Sequence, residues 1–267
     1  MKNISILGCG WLGFPLAQKL LQSAYAVKGS TTSAEKMKLL ENSGIAPFLI
    51  SLETDAIHGK IDEFLSASEI LIIDIPPKLG SAEAESFVSK INFLIPYIEK
   101  ARVDNVIFIS STAVYADDDS IITEATKAIP ETESGKQLLE TEAVLQKNPN
   151  FKTTVLRFGG LIGEDRHPVR FLAGRENIDH PDAPINLIHQ EDCIGIILKI
   201  IATDCWNEVF NAVAPFHPSR RAYYSAKAFE MMLPMPKFSH EKASVGKTIS
   251  SEKTTGMLGY QFRFPTL

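Results

Sequence analysis

Short runs dominated by apolar residues alternate along this chain with stretches whose apolar positions recur every three or four residues. The first run, Ile4 to Leu7, breaks into Gly8-Cys9-Gly10-Trp11-Leu12-Gly13, and Leu12, Leu16 and Leu20 then follow at a spacing of four. That order predicts a buried strand, a tight turn and a helix. Further strands are predicted at Ala24–Gly29, Phe48–Ser51, Glu69–Ile75, from Asn105 into a hydroxyl cluster, at Thr153–Arg157 and at Val209–Ala212. Helices are predicted from Ser33 to Ser43, with Gly44 as the stop, from Glu83 to Arg102, and from a Ser219 cap to Leu233. Pro96 should kink or divide the second of these. Runs apolar on both faces belong to parallel sheets covered by helices. The expected fold class is therefore α/β, a doubly wound parallel sheet with a small C-terminal lobe. The expected boundaries are 1–158, continued by 185–212, for the sheet domain, and 159–184 with 213–267 for the lobe.

The glycines of the first turn carry chemistry. Gly8 lets the chain leave the strand sharply, Gly10 has no Cβ and admits a diphosphate, and Gly13 lets the helix pack closely. The helix start, with Trp11 and Leu12, then aims unpaired N–H groups and the positive dipole end at the phosphates. Pro15 falls in the first turn, where a missing N–H costs little. This pattern points to a dinucleotide, with Gly8, Gly10, Trp11, Leu12 and Gly13 as cofactor contacts. After the second strand come Ser30-Thr31-Thr32, and the first acid is Glu35. An NAD site usually places an acid there for the ribose hydroxyl. Hydroxyls at Ser30, Thr31 and Thr32, with Lys36 adding charge, favour NADP, with NAD as the alternative. Thr32-x-x-Glu35 also reads as a capping box. Ile75 and Pro76 end the strand beside the turn, where ligands sit in such sheets.

The strand from Asn105 ends in Ser110-Ser111-Thr112-Ala113-Val114-Tyr115. This resembles the Ser-Ser-x-x-Val-Tyr ending of the extended short-chain dehydrogenase/reductase family, the NAD-dependent epimerase/dehydratases, whose sheet is of the Rossmann type. The resemblance implies that Ser111 hydrogen-bonds the substrate oxygen and that Ser110 lies near the cofactor. It also implies a Tyr-x-x-x-Lys pair about twenty residues on. That pair is missing: one register places Ser134 and Leu138 there, the other Thr132 and Lys136. Neither hydroxyl is a good proton relay near neutral pH. Tyr115 is the nearest phenol and the candidate substitute. Leu156-Arg157 with Gly163, Ile188-His189-x-x-Asp192, Gly246-Lys247 and Leu258-Gly259-Tyr260 extend the likeness over nearly the whole chain. In the family His189 and Asp192 correspond to structural residues tying the lobe to the sheet. The chain also resembles small bacterial members sharing the Gly-x-Gly-Trp-Leu-Gly opening, the Arg-His-Pro segment and the missing Tyr.

Arg166, His167, Arg170 and Arg175 fall within ten residues, an expected anion subsite because the arginine fork grips two oxygens. A solvated loop explains the same residues equally well. The net charge is −5, with 27 basic and 32 acidic residues, so nothing marks a nucleic-acid surface. Cys9, Cys193 and Cys205 lack metal spacing and read as small residues in a reducing cytoplasm. No stretch is long and apolar enough for a membrane span, and no metal site is expected. The resemblance implies an NAD(P)-dependent oxidoreductase or epimerase of an atypical kind, acting on a small anionic or sugar-like substrate, and admits a homodimer. The alternatives are a non-catalytic NAD(P) sensor or a metabolite-binding protein that has lost the cofactor.

Overall fold

The structure, a computed structural model, describes residues 2–77, 86–239, 241 and 243–267. Seven strands form one parallel sheet: β1 (Asn3–Leu7), β2 (Ala26–Thr31), β3 (Ala46–Leu49), β4 (Ile70–Ile73), β5 (Asn105–Ser111), β6 (Lys152–Phe158) and β7 (Val209–Ala212). Their order is β7-β6-β5-β4-β1-β2-β3. The order reverses at β1, which pairs β2 on one side and β4 on the other. The chain therefore leaves a crevice at the carboxyl ends of β1 and β4.

Side-chain alternation in the strands feeds two cores. On one face Ile4, Ile6, Ile72, Ile107 and Leu156 pack beneath α1 (Gly13–Gln22) and α7 (Gln190–Thr203). Leu16 and Leu20 of α1 have no exposed surface, so the spacing of four does become a buried stripe. On the other face Leu7, Leu71, Ile73, Phe108 and Val155 pack beneath α3 (Ile61–Leu65), α4 (Phe87–Ala101) and α5 (Glu133–Gln146). Ser86 caps α4 by accepting from the Ser89 amide, and Thr132 caps α5 by accepting from Gly135. The predicted start of α4 at Glu83 lies outside the described residues. Helix α4 runs through Pro96 rather than dividing there.

A third cluster joins Ile162, Val169, Ile185, Leu187, Tyr223 and Tyr224. It links a short parallel pair, Gly160–Ile162 with Leu187–His189, to α6 (Val169–Leu172) and α8 (Arg220–Glu230). Ser219 caps α8 as expected, but the helix ends at Glu230 and not at Leu233. The C-terminal segment returns to the sheet. Thr248–Ile249 pairs in parallel with Ile121–Ile122. From α9 (Glu252–Leu258) and its cap, Thr254 donates to the Asn211 carbonyl, and the Ser251 hydroxyl bonds both backbone groups of Val213.

Two local expectations are corrected. Strand β2 extends to Thr31, so Ser30 and Thr31 lie in the sheet. The cap of α2 (Ala34–Asn42) is Ser33 with no side-chain cap bond, so Thr32 and Glu35 form no capping box. Instead Thr31 accepts from the Ser33 amide with its hydroxyl oxygen, a turn that competes with capping.

Candidate functional site

The turn after β1 is built as its glycines require. Gly8 has φ of +107°, and a Cβ there would sit 2.3 Å from the Asp74 carbonyl oxygen. A Cβ on Gly13 would sit 2.2 Å from the Gly8 carbonyl oxygen. Both positions admit only hydrogen. Gly10 differs: a Cβ there meets no atom within 4 Å. The turn is tied to β2, because the Gly8 amide donates to the Ser30 hydroxyl at 2.9 Å and the Cys9 amide to the Ser30 carbonyl at 2.7 Å.

A cavity of about 490 Å³ opens in front of this turn. Its walls include Gly8, Gly10, Thr32, Lys36, Ile75 and Pro76, with Ser30, Thr31, Glu53 and Asp74 also reaching it. A second hollow of about 520 Å³ begins on the other side of Gly10, against Trp11, Phe14, Glu164, Asp165 and Glu191. The open space at Gly10, at the start of α1, fits an anionic group such as a diphosphate.

The candidate residues are placed unequally. Leu12 turns its side chain into the core, leaving only backbone at the turn. The Trp11 indole donates to Asp165 at 2.8 Å and carries the Arg166 guanidinium over its ring at 5.0 Å. The Ser30 hydroxyl is occupied by Gly8. Thr32 and Lys36 face the first cavity. Ser111 ends β5, with its hydroxyl accepting from the Ala113 amide at 3.1 Å. It does not line the first cavity.

Ser110 and Tyr115 are corrected to core positions. Ser110 donates to Glu142 of α5 at 2.5 Å. Tyr115 is 1% exposed; its hydroxyl donates to Asn211 at 3.0 Å and accepts from Arg157 at 2.6 Å. Arg157 binds Glu142 through Nε and Nη2. Burial raises the Tyr115 pKa against the lowering effect of Arg157. The phenol is thus enclosed between a guanidinium and an amide. On α5 the Thr132 hydroxyl is spent on its cap, Lys136 is exposed and Leu138 is buried. Gly135 packs against the single helical turn Thr112–Val114, whose Ala113 oxygen lies 2.3 Å from where a Cβ would be.

The basic cluster is not gathered. Arg166, Arg170 and Arg175 are exposed, and none of them or His167 lines either cavity. His167 accepts from the Val169 amide through Nδ1, so Nε2–H donates to the Tyr223 hydroxyl at 2.8 Å. Burial, then the charges of Lys227 and Arg170, push its pKa down to about 4. It is neutral near pH 7 and supplies no charge to an anion. Nuclear magnetic resonance of the imidazole should show a constant shift as pH falls from about 8 to 5. A titration midpoint above 6 would contradict this environment.

His189 and Asp192 form no dyad. His189 caps α7 by accepting from the Glu191 amide, and its ring stacks on Phe264 at 3.7 Å. Asp192 is buried and accepts from the Tyr260 hydroxyl and the Arg263 and Phe264 amides. Cys9 and Cys193 are buried, and burial raises both thiols, Cys9 to about 12. They are inert at neutral pH.

Sequence reasoning missed several cleft residues, among them Glu53, Lys90 and Asp74. Asp74 stands just past β4, and its only signal is a lone acid in an apolar run opposite the glycine turn.

No protein-family model matches the chain. Protein YeeZ of Escherichia coli K12 is 33% identical over 267 residues, covering 99% of this chain and 97% of that protein. A putative NAD-dependent epimerase/dehydratase from Methylobacillus flagellatus has TM-score 0.79 and 25% identity, covering 99% of this chain and 94% of that one. UDP-glucuronic acid 4-epimerase from Bacillus cereus, solved in complex with NAD, has TM-score 0.80 and 18% identity, covering 99% and 92%.

Proposed function

This chain belongs to the YeeZ family, on the fold of the NAD-dependent epimerase/dehydratases, and from that premise we propose that it binds NADP and acts as an oxidoreductase or epimerase on a small sugar-like or anionic substrate. The observation that carries the reading is the first cavity: it opens from the glycine turn at the point where strand order reverses, with free space at Gly10. The neighbour crystallised with NAD supports a nicotinamide cofactor. When bound, such a cofactor supplies a hydride donor or acceptor.

This chain's residues would do the rest. Backbone amides from Gly10 to Gly13 hold the diphosphate. Thr31, Thr32 and Lys36 hold a 2′-phosphate that an acid at this position would repel. Ile75 and Pro76 wall the cofactor, and Ser111 orients the reacting oxygen. With no Tyr-x-x-x-Lys pair, the proton comes from substrate or water. That same gap favours a second reading, a non-catalytic NADP sensor, since Thr132 and Tyr115 are both engaged elsewhere.

Fluorescence titration with NADPH and NADH tests the cofactor. NADPH should bind about tenfold more tightly, and Thr32→Asp should reverse the preference to about tenfold for NADH, a change of roughly 2.8 kcal/mol. Equal affinities would remove the NADP assignment. Deuteride transfer from labelled NADPH into a panel of nucleotide sugars and small keto acids then separates the two readings. Binding without transfer to any of them favours the sensor.

A further inference from the structure

The carboxylate of Asp74 stands where the proposed diphosphate would be held. Asp74 lines the first cavity beside Gly8 and Gly10. Its amide donates to the Leu7 carbonyl at 2.9 Å, which fixes the residue at the carboxyl end of β4. Its carboxylate lies against the backbone of Gly13, the first residue of α1, whose amide acts to lower its pKa. A Cβ on Gly13 would come within 3.1 Å of Asp74 Oδ2. The carboxylate therefore takes up the positive helix end that makes this turn attractive to phosphate.

The groups around Asp74 do little to hold its charge. The Cys9 thiol follows β1, and the Cys193 thiol faces it from α7. Lys36, Glu53 and Lys90 lie on the walls of the same cavity. Among the described residues none forms an ion pair with it. Burial pushes the carboxyl up to about 7, against the lowering effect of the Gly13 amide.

We propose that Asp74 couples dinucleotide binding to proton uptake: carboxylate and diphosphate compete for one helix N-terminus, and the complex forms with Asp74 protonated. This rests on the reading of the cavity as a dinucleotide site. The proton comes from solvent, and binding converts a carboxylate into a neutral carboxyl that can donate to an oxygen. A diphosphate within a few ångströms of a partly buried carboxylate raises the carboxyl's pKa further. The sign follows: affinity is complete below the free protein's titration range and falls as pH rises through it. Above it, affinity drops by about tenfold per pH unit until the complex itself titrates.

Calorimetric titration of the full chain with NADH, and in parallel with NADPH, in buffers of different ionisation enthalpy tests this. NADH lacks the 2′-phosphate, which itself titrates, so uptake common to both cofactors belongs to the protein. Wild type should take up close to one proton per NADH at about pH 8. Asp74→Asn should bind with no uptake and a flat pH profile, and Asp74→Glu should restore uptake. Binding of NADH by wild type with no uptake between about pH 6 and 9 would overturn the proposal and leave the dinucleotide site standing. Failure of both cofactors to bind at any pH would overturn both. The wild-type buffer comparison decides the matter even if a variant does not fold.

Discussion

Replacing Glu142 with Leu should destabilise the protein by about 3–5 kcal/mol, because it strands a buried guanidinium. Arg157 is 7% exposed and Glu142 1%, and their pairing anchors Ser110 and, through Arg157, Tyr115 and Asn211. The charge on Arg157 would persist without its partner, since desolvation is not enough to neutralise a guanidinium. Denaturant unfolding followed by circular dichroism measures the loss. The double variant Glu142→Leu with Arg157→Met should lose much less than the sum of the single losses, because it removes the stranded charge with its cause. A loss below about 1 kcal/mol for Glu142→Leu would show that water reaches Arg157.

Gly10→Ala should separate cofactor binding from folding. A Cβ at Gly10 meets no protein atom, whereas one at Gly13 would press on the Gly8 carbonyl. The Gly10 variant should keep its stability to within about 0.5 kcal/mol. If the diphosphate fills that space, the methyl displaces it and costs two charge-assisted hydrogen bonds. At about 1.5–3 kcal/mol each, affinity for NADPH falls on the order of 100-fold or more. Gly13→Ala should instead lower stability and binding together. Unchanged NADPH affinity in folded Gly10→Ala would move the diphosphate away from this turn.

The parts of this protein legible in the sequence were those decided locally. The strand, glycine turn and first helix follow from residues within twenty positions of one another, so periodicity and backbone freedom sufficed. The same holds for the Ser219 cap of α8. The readings that failed depended on distant partners. Tyr115 looked available until Arg157 and Asn211, far along the chain, enclosed it. His167 read as part of an anion-binding run, but Tyr223 engages its ring and burial pushes its pKa down. Thr32 and Glu35 matched a capping box, yet β2 continues to Thr31 and shifts the helix entry to Ser33. Asp74 was read as part of a strand because nothing near it in sequence reveals that Gly13 is its partner.

The pairing of Thr248–Ile249 with Ile121–Ile122 bears on how the chain is made. During synthesis the ribosome must release the chain past residue 249 before that contact exists. Until then Ile122 and the end of β7 lack the cover that Ile249 and Thr254 give them. A nascent chain halted near residue 240 would carry a sheet with a bare border, a substrate for chaperones rather than an independent module.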